Sequence, residues 1–138
     1  MKNVTIEDAE KLITDFLVDR VAPSVIYLFG SRVAGRARSN SDYDIAYLSD
    51  KHLSNYERFM LAQELAAILN RDVDLVDLKQ ASTVFQTEII ETGKVLYGDH
   101  STDKALFEMR ALKNYAILNE ERRVILENIS ERGQIYEE

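Results

Sequence analysis

Two apolar runs, Val25–Phe29 and Tyr43–Leu48, each read as a buried strand, and only 13 residues separate them. That interval is too short for a crossover helix that would return the chain to a parallel neighbour, so the two strands are predicted to pair antiparallel. The intervening residues are small, polar and basic, beginning with Gly30 and Ser31 directly after the first strand. A third run, Val73–Leu78, follows a helical stretch and is studded with Asp72, Asp74 and Asp77. The order of patterns is α-β-β-α-β-α-(β)-α. It predicts an α/β (α+β) domain with a small mixed β-sheet flanked by helices.

The helices are marked by their caps and periodicity. Thr5 and Asp8 open a helix over Ile6 to Arg20, with Ile6, Ala9, Leu12, Ile13, Phe16 and Leu17 as its inward face. Ser54 and Glu57 form a capping-box pair ahead of a helix reaching Asn70, with Phe59, Met60, Leu65, Ala66 and Leu69 inward. Ser82 to Thr92 reads as a helix closed by Gly93, and Val95 to Tyr97 as a short edge strand. A long helical pattern from Thr102 to Ile129 carries Leu106, Met109, Leu112, Tyr115 and Ala116 as its apolar stripe. Residues 1–100 are expected to form the working domain, with 101–138 a helical extension against it.

Composition excludes several classes. The 138 residues contain no cysteine, which removes disulfides, thiol nucleophiles and cysteine-based zinc sites, and suits a cytoplasmic setting. With 24 acidic against 17 basic side chains the net charge is −7, unlike proteins that grip nucleic acid broadly through phosphate contacts. The longest charge-free stretch, Val21 to Ser31, is far below the ~20 apolar residues of a membrane span. The acidic, amphipathic N-terminus lacks the pattern of a secretion signal. His52 and His100 stand alone in polar segments without ligand spacing and read as solvated.

The chemistry concentrates in residues 28–48, LFGSRVAGRARSNSDYDIAYL. Glycine after a strand permits a positive φ or the close approach of a ligand. Ser31 adds a hydroxyl and an N–H at the start of a short helical turn, a setting suited to phosphate oxygens. Asp42 and Asp44, two apart at the start of a strand, share one face, while Tyr43, Ile45 and Tyr47 take the other. Adjacent carboxylates repel unless a cation lies between them, and Mg²⁺ takes one or two carboxylates together with substrate phosphates. Each feature alone has an ordinary reading, as a turn, a cap or a solvated strand end. Asp74 lies mid-strand between apolar neighbours, where an unpaired charge is costly if buried. Asp72 shares its face nearer the strand end, and Asp77 takes the opposite face. Asp74 is preferred, with Asp72 in reserve.

Gly30-Ser31, ten residues, then Asp42-Tyr43-Asp44 resembles the G-S-x10-D-x-D signature of the DNA polymerase beta-like nucleotidyltransferase superfamily. The longer segment LFGSRVAGRARSNSDYDI resembles its minimal nucleotidyltransferases, or MNT proteins, with the likeness running over roughly residues 5 to 100. The resemblance implies the nucleotidyltransferase fold, ATP as co-substrate and Mg²⁺, two ions being expected. By position, Gly30 and Ser31 would hold the triphosphate, and Asp42, Asp44 and Asp74 the metal and the catalytic roles. Arg32 would reach phosphate, with Arg36 and Arg38 as weaker candidates. Many MNT proteins are antitoxins that place AMP on a tyrosine of a HEPN-domain ribonuclease toxin, which implies the same function and partner here. Two alternatives remain: neutralisation by binding and occlusion without catalysis, or nucleotidyl transfer to a small molecule such as an aminoglycoside.

Overall fold

The computed structural model describes residues 5–33 and 41–136. Helix α1 (Ile6–Val21) leads to strand β1 (Val25–Phe29), a 3₁₀ turn (Gly30–Arg32) and β2 (Tyr43–Leu48). Helix α2 (Asn55–Leu69), β3 (Val73–Asp77), α3 (Thr83–Thr92), β4 (Lys94–Tyr97) and α4 (Thr102–Tyr136) complete the chain. The sheet order is β3-β2-β1-β4. As its short connection requires, β1 runs antiparallel to β2, and it is also antiparallel to β4. The chain from β2 to β3 has room for α2, and that pair is parallel. The expected mixed sheet flanked by helices is therefore present.

Strand alternation divides the interior in two. Ile26, Leu28, Tyr43, Ile45, Tyr47 and Leu75 face α1 and α2, meeting Ile13, Leu17 and Leu65. Val25, Tyr27, Ala46 and Leu48 point the other way, toward Leu78 and Ile89. In α1 the buried stripe is narrower than the sequence pattern predicts. Ala9, Ile13, Leu17 and Val21 recur every fourth residue and are buried, whereas Leu12 is exposed. The Ser54–Glu57 box forms in both directions: the Glu57 N–H donates to Ser54 Oγ at 3.1 Å, and the Ser54 N–H to Glu57 Oε1 at 3.0 Å. That fixes where α2 begins, and Ala62, Leu65 and Leu69 then turn inward. Phe59 and Met60, expected inward, are 58% and 41% exposed. They precede the point at which α2 meets the sheet face that buries its later turns.

Helix α4 departs further from its predicted stripe. Leu106, Met109 and Leu112 are exposed, and the contact face instead passes through Phe107 and Ala111. Polar ties fix this register. The buried Tyr27 hydroxyl donates to Glu108 at 2.6 Å, Lys104 Nζ lies 3.0 Å from the same carboxylate, and Ser24 Oγ donates to Asp103 at 2.8 Å. Burial, and then the adjoining Glu108 carboxylate, hold the Tyr27 phenol protonated far above its ordinary range. From Asn119 to Glu131 every side chain of α4 is exposed. Among the described residues no helix is long and apolar enough to cross a membrane.

The two faces of α2 should respond differently to truncation. Leu65→Ala is expected to cost about 2–5 kcal/mol in urea unfolding, because a fully buried side chain leaves a cavity. Phe59→Ala should cost less than about 1 kcal/mol, as befits an exposed position.

Candidate active site

The sequence-predicted residues meet at one end of the sheet. Phe29, the last residue of β1, lies opposite Asp44 on β2, and Asp44 lies beside Asp74 on β3. The turn after β1, the carboxylate of Asp44 and that of Asp74 therefore form a row across three adjacent strands. Asp42 precedes Asp44 by two residues and takes the same side of the strand. The Tyr43 N–H donates to the Asp72 carbonyl at 2.9 Å, which locks the beginnings of β2 and β3 together.

Gly30 makes this arrangement sterically possible. Its φ is +81°, and a Cβ built there would lie 2.2 Å from Asp44 Oδ2. No side chain larger than hydrogen fits between the turn and that carboxylate, and the left-handed conformation itself disfavours other residues. Ser31 and Arg32 complete a single turn of 3₁₀ helix, short as the sequence predicts. Arg32 is turned back onto its own chain. Its Nε donates to the Asp42 carbonyl at 3.2 Å, a second nitrogen donates to the Ser41 carbonyl, and the guanidinium lies 3.7 Å from the centre of the Tyr43 ring. Arg32 therefore clamps the start of β2 to the end of β1 and holds Asp42 in place through its backbone. Arg36 and Arg38 lie outside the described residues.

Asp44 is half-buried, and its carboxyl is raised above the ordinary value by burial first, then by the charges of Asp74 and Asp42. Asp42 and Asp74 are both exposed. Of the two readings open for Asp74, a charge needing a partner if buried or a solvated position on an edge strand, the structure shows the second: β3 is an edge strand, and water reaches this carboxylate. What sets Asp74 apart is its register beside Asp44. Asp72 is exposed two residues earlier, while Asp77 is buried on the other side, where its Oδ1 accepts the Lys79 N–H at 2.9 Å.

Among the described residues no three His, Cys, Asp or Glu side chains converge as a ready-made metal cage. The donor set nevertheless fits a hard divalent cation. It is all oxygen and lies along one end of the sheet, and it includes a carboxylate whose ionisation its neighbours oppose. A positive charge among these groups would relieve that opposition.

A groove of about 430 Å³ adjoins this end between α2 and β3, with Asp42 and Asp74 in its walls beside Asn55, Arg58, Phe59 and Gln63. Helical spacing places Phe59 in the core and gives Arg58 no role, whereas both line this groove. Their only sequence signal is position, in the first turns of a capped helix leading toward β3.

The polymerase beta nucleotidyltransferase family matches residues 11–102, the stretch that contains the whole sheet and the carboxylate row. The protein adenylyltransferase MntA of Shewanella oneidensis is 44% identical over 105 residues, covering 76% of this chain and 75% of that protein. A solved toxin–antitoxin structure with AMP-PNP contains a chain 41% identical to this one. The superposition has a TM-score of 0.78 and covers 87% of this chain and 97% of that one. The MNT antitoxin in complex with the tri-AMPylated HEPN toxin of Shewanella oneidensis is 38% identical, with a TM-score of 0.74 over 89% and 97% of the two chains. The fold and its carboxylate row thus define a nucleotidyltransferase of the polymerase beta type. Within that class, the chain belongs to the MntA family.

The raised Asp44 carboxyl yields a stability prediction. A carboxyl whose folded value lies above its unfolded value destabilises the fold at pH above the folded value, and that penalty disappears as the pH falls below the unfolded value. With divalent ions chelated, Asp44→Asn is therefore expected to raise Tm at pH 7, by on the order of 1–3 °C. The gain should vanish in acid, as thermal unfolding across a pH series would show.

Proposed function

We propose that this protein is an antitoxin that transfers AMP from ATP to a tyrosine of a HEPN-domain toxin, releasing pyrophosphate. The single observation that carries the reading is the row of the glycine turn, Asp44 and Asp74 across three strands, with Asp42 beside it. Its support from outside the chain is the combined likeness to an adenylyltransferase, to an antitoxin bound with AMP-PNP and to one bound with an AMPylated toxin.

In this reading Gly30 and Ser31 receive the triphosphate, the glycine because no Cβ intrudes and the serine through its hydroxyl and N–H. Arg32 acts as a positioning residue, keeping Asp42 at the mouth of the turn through the contacts described above. Asp42, Asp44 and Asp74 would hold Mg²⁺, two ions being expected, which supplies charge neutralisation of the phosphates and activation of the attacking oxygen. The tyrosine oxygen bonds to the α-phosphorus as the bond to the β-phosphate oxygen breaks. Asp74, solvent-accessible at the sheet edge, accepts the phenolic proton, and the electron pair leaves with pyrophosphate. Residues 1–100 carry this chemistry, with 101–138 as the extension. The net charge of −7 suits a basic RNA-cutting partner, and such a pair would work in the cytoplasm.

The test is the intact mass of a HEPN-domain toxin after incubation with this chain, ATP and Mg²⁺. The expected product is heavier by one or more AMP units. Combining Asp42→Asn with Asp44→Asn should reduce transfer by on the order of a thousandfold or more while the circular dichroism spectrum is retained. Equal neutralisation by the double variant would instead favour occlusion. Transfer to aminoglycosides but not to protein would favour the small-molecule alternative. Separately, Arg32→Ala is expected to lower kcat by about tenfold or more, because the backbone that carries Asp42 loses its clamp.

A further inference from the structure

Asp44 and Asp74 lie on the sheet face that α3 and α4 cover, because each alternates along its strand with a residue of the second core, Ala46 and Val76. Phe29 packs against the same core and lies directly opposite Asp44, so the row across the strands reads Phe29, Asp44, Asp74. Phe29 is also the residue from which the 3₁₀ turn departs. Its backbone is extended, with φ −137° and ψ −176°, immediately before the positive φ of Gly30. Only one side of that backbone has a strand beside it: the ladder to β4 stops at Leu28, whereas the ladder to β2 runs on to Phe29. A strand end paired on one side frays unless its side chain is held.

Phe85, in the first turn of α3, supplies that hold. The two rings meet edge to face, with centroids 5.6 Å apart and planes at 83°, an arrangement that aromatic quadrupoles favour. Phe85 is itself fixed through its backbone, since its N–H donates to the capping hydroxyl of Ser82 at 3.2 Å. The next residue ties the helix to β3, as Gln86 Nε2 donates to the Leu78 carbonyl at 2.6 Å. At the other end of α3 a Cβ on Gly93 would lie 3.4 Å from the Leu28 carbonyl oxygen, so the chain touches β1 again one residue before Phe29. The helix is therefore anchored on both sides of the ring that it presents.

We propose that Phe85 is a positioning residue for nucleotide binding: its ring locks Phe29, and Phe29 in turn sets the glycine turn against Asp44. Arg32 secures the far side of the turn through the carbonyls of Ser41 and Asp42, and Phe85 secures the near side. The inference rests on the reading of Gly30 and Ser31 as the triphosphate site. It extends the support of that site to α3, a helix to which the glycine–serine and aspartate motif assigns nothing.

Equilibrium binding of AMP-PNP to the intact chain, with Mg²⁺ present, tests the assignment. Phe85→Leu should weaken binding by about five- to tenfold. Phe85→Tyr, which keeps the ring, should restore most of the loss. Ile89→Val truncates the same helix in the same core but keeps both rings. It should unfold at a lower temperature yet bind within about twofold of wild type. Phe29→Leu should bind at least as weakly as Phe85→Leu, and adding Phe85→Leu to it should change affinity by less than about twofold, because the rings act as one unit. Independent, multiplying losses would overturn the proposal, and so would an equal loss in Ile89→Val, which would leave Phe85 a structural role alone. Unchanged binding by Phe85→Leu removes the positioning role and spares the site. If wild type binds no AMP-PNP, the triphosphate reading fails and takes the positioning role with it.

Discussion

The carboxylate-bearing end of the sheet depends on the absence of one side chain, at Gly30. With a Cβ at that position 2.2 Å from Asp44 Oδ2, either the turn or the carboxylate must move, and both are needed where they are. The turn follows β1 directly, and Asp44 is the middle member of the row that continues to Asp74. Arg32 then closes the loop from the other side, holding the carbonyls of Ser41 and Asp42 and stacking on Tyr43. Gly30 thus permits the close approach, and Arg32 aligns the next strand.

The same geometry places like charges side by side. The Asp44 carboxyl is pushed upward by its burial and by the carboxylates of Asp74 and Asp42, a conflict that works against the fold. Such conflict is typical of a site shaped for a charged ligand, where local stability is given up for function. The opposite end of the sheet behaves differently. There Tyr27, Glu108 and Lys104 satisfy one another, and Ser24 with Asp103 fixes the first turns of α4. One end of the domain is thus held by groups that satisfy one another, whereas the other gathers carboxylates that oppose one another's ionisation.

Much of this was legible in the sequence, for identifiable reasons. The interval between Phe29 and Tyr43 excludes a crossover, so antiparallel pairing followed from length alone. Alternation in Asp42-Tyr43-Asp44-Ile45 assigns faces because a strand has a period of two. Caps at Thr5 and Ser54 reveal helix starts because the acceptor and the N–H it serves are only three residues apart. The failures also share a cause. Phe59 and Met60 on α2, and Leu106, Met109 and Leu112 on α4, fit a helical stripe by spacing yet are exposed. Spacing shows that a face exists but not where the sheet ends beneath it. The sequence leaves open whether Asp74 is buried or solvated, because flanking valine and leucine look alike on a central and an edge strand.

By itself, then, the sequence determined the strands and helices, the antiparallel first pair, and the presence of a glycine turn and paired aspartates. All of these depend on neighbours close along the chain. Only the tertiary structure decided that β3 lies beside β2 with Asp74 level with Asp44. It also decided that Arg32 turns back onto Ser41 and Asp42, and that Phe59 lines a groove between α2 and β3 instead of the core. Those relations depend on register and on which strand forms the edge. Both are set by how the two faces of the sheet are covered, and that balance of packing is shared across the whole chain rather than carried by any short segment of it.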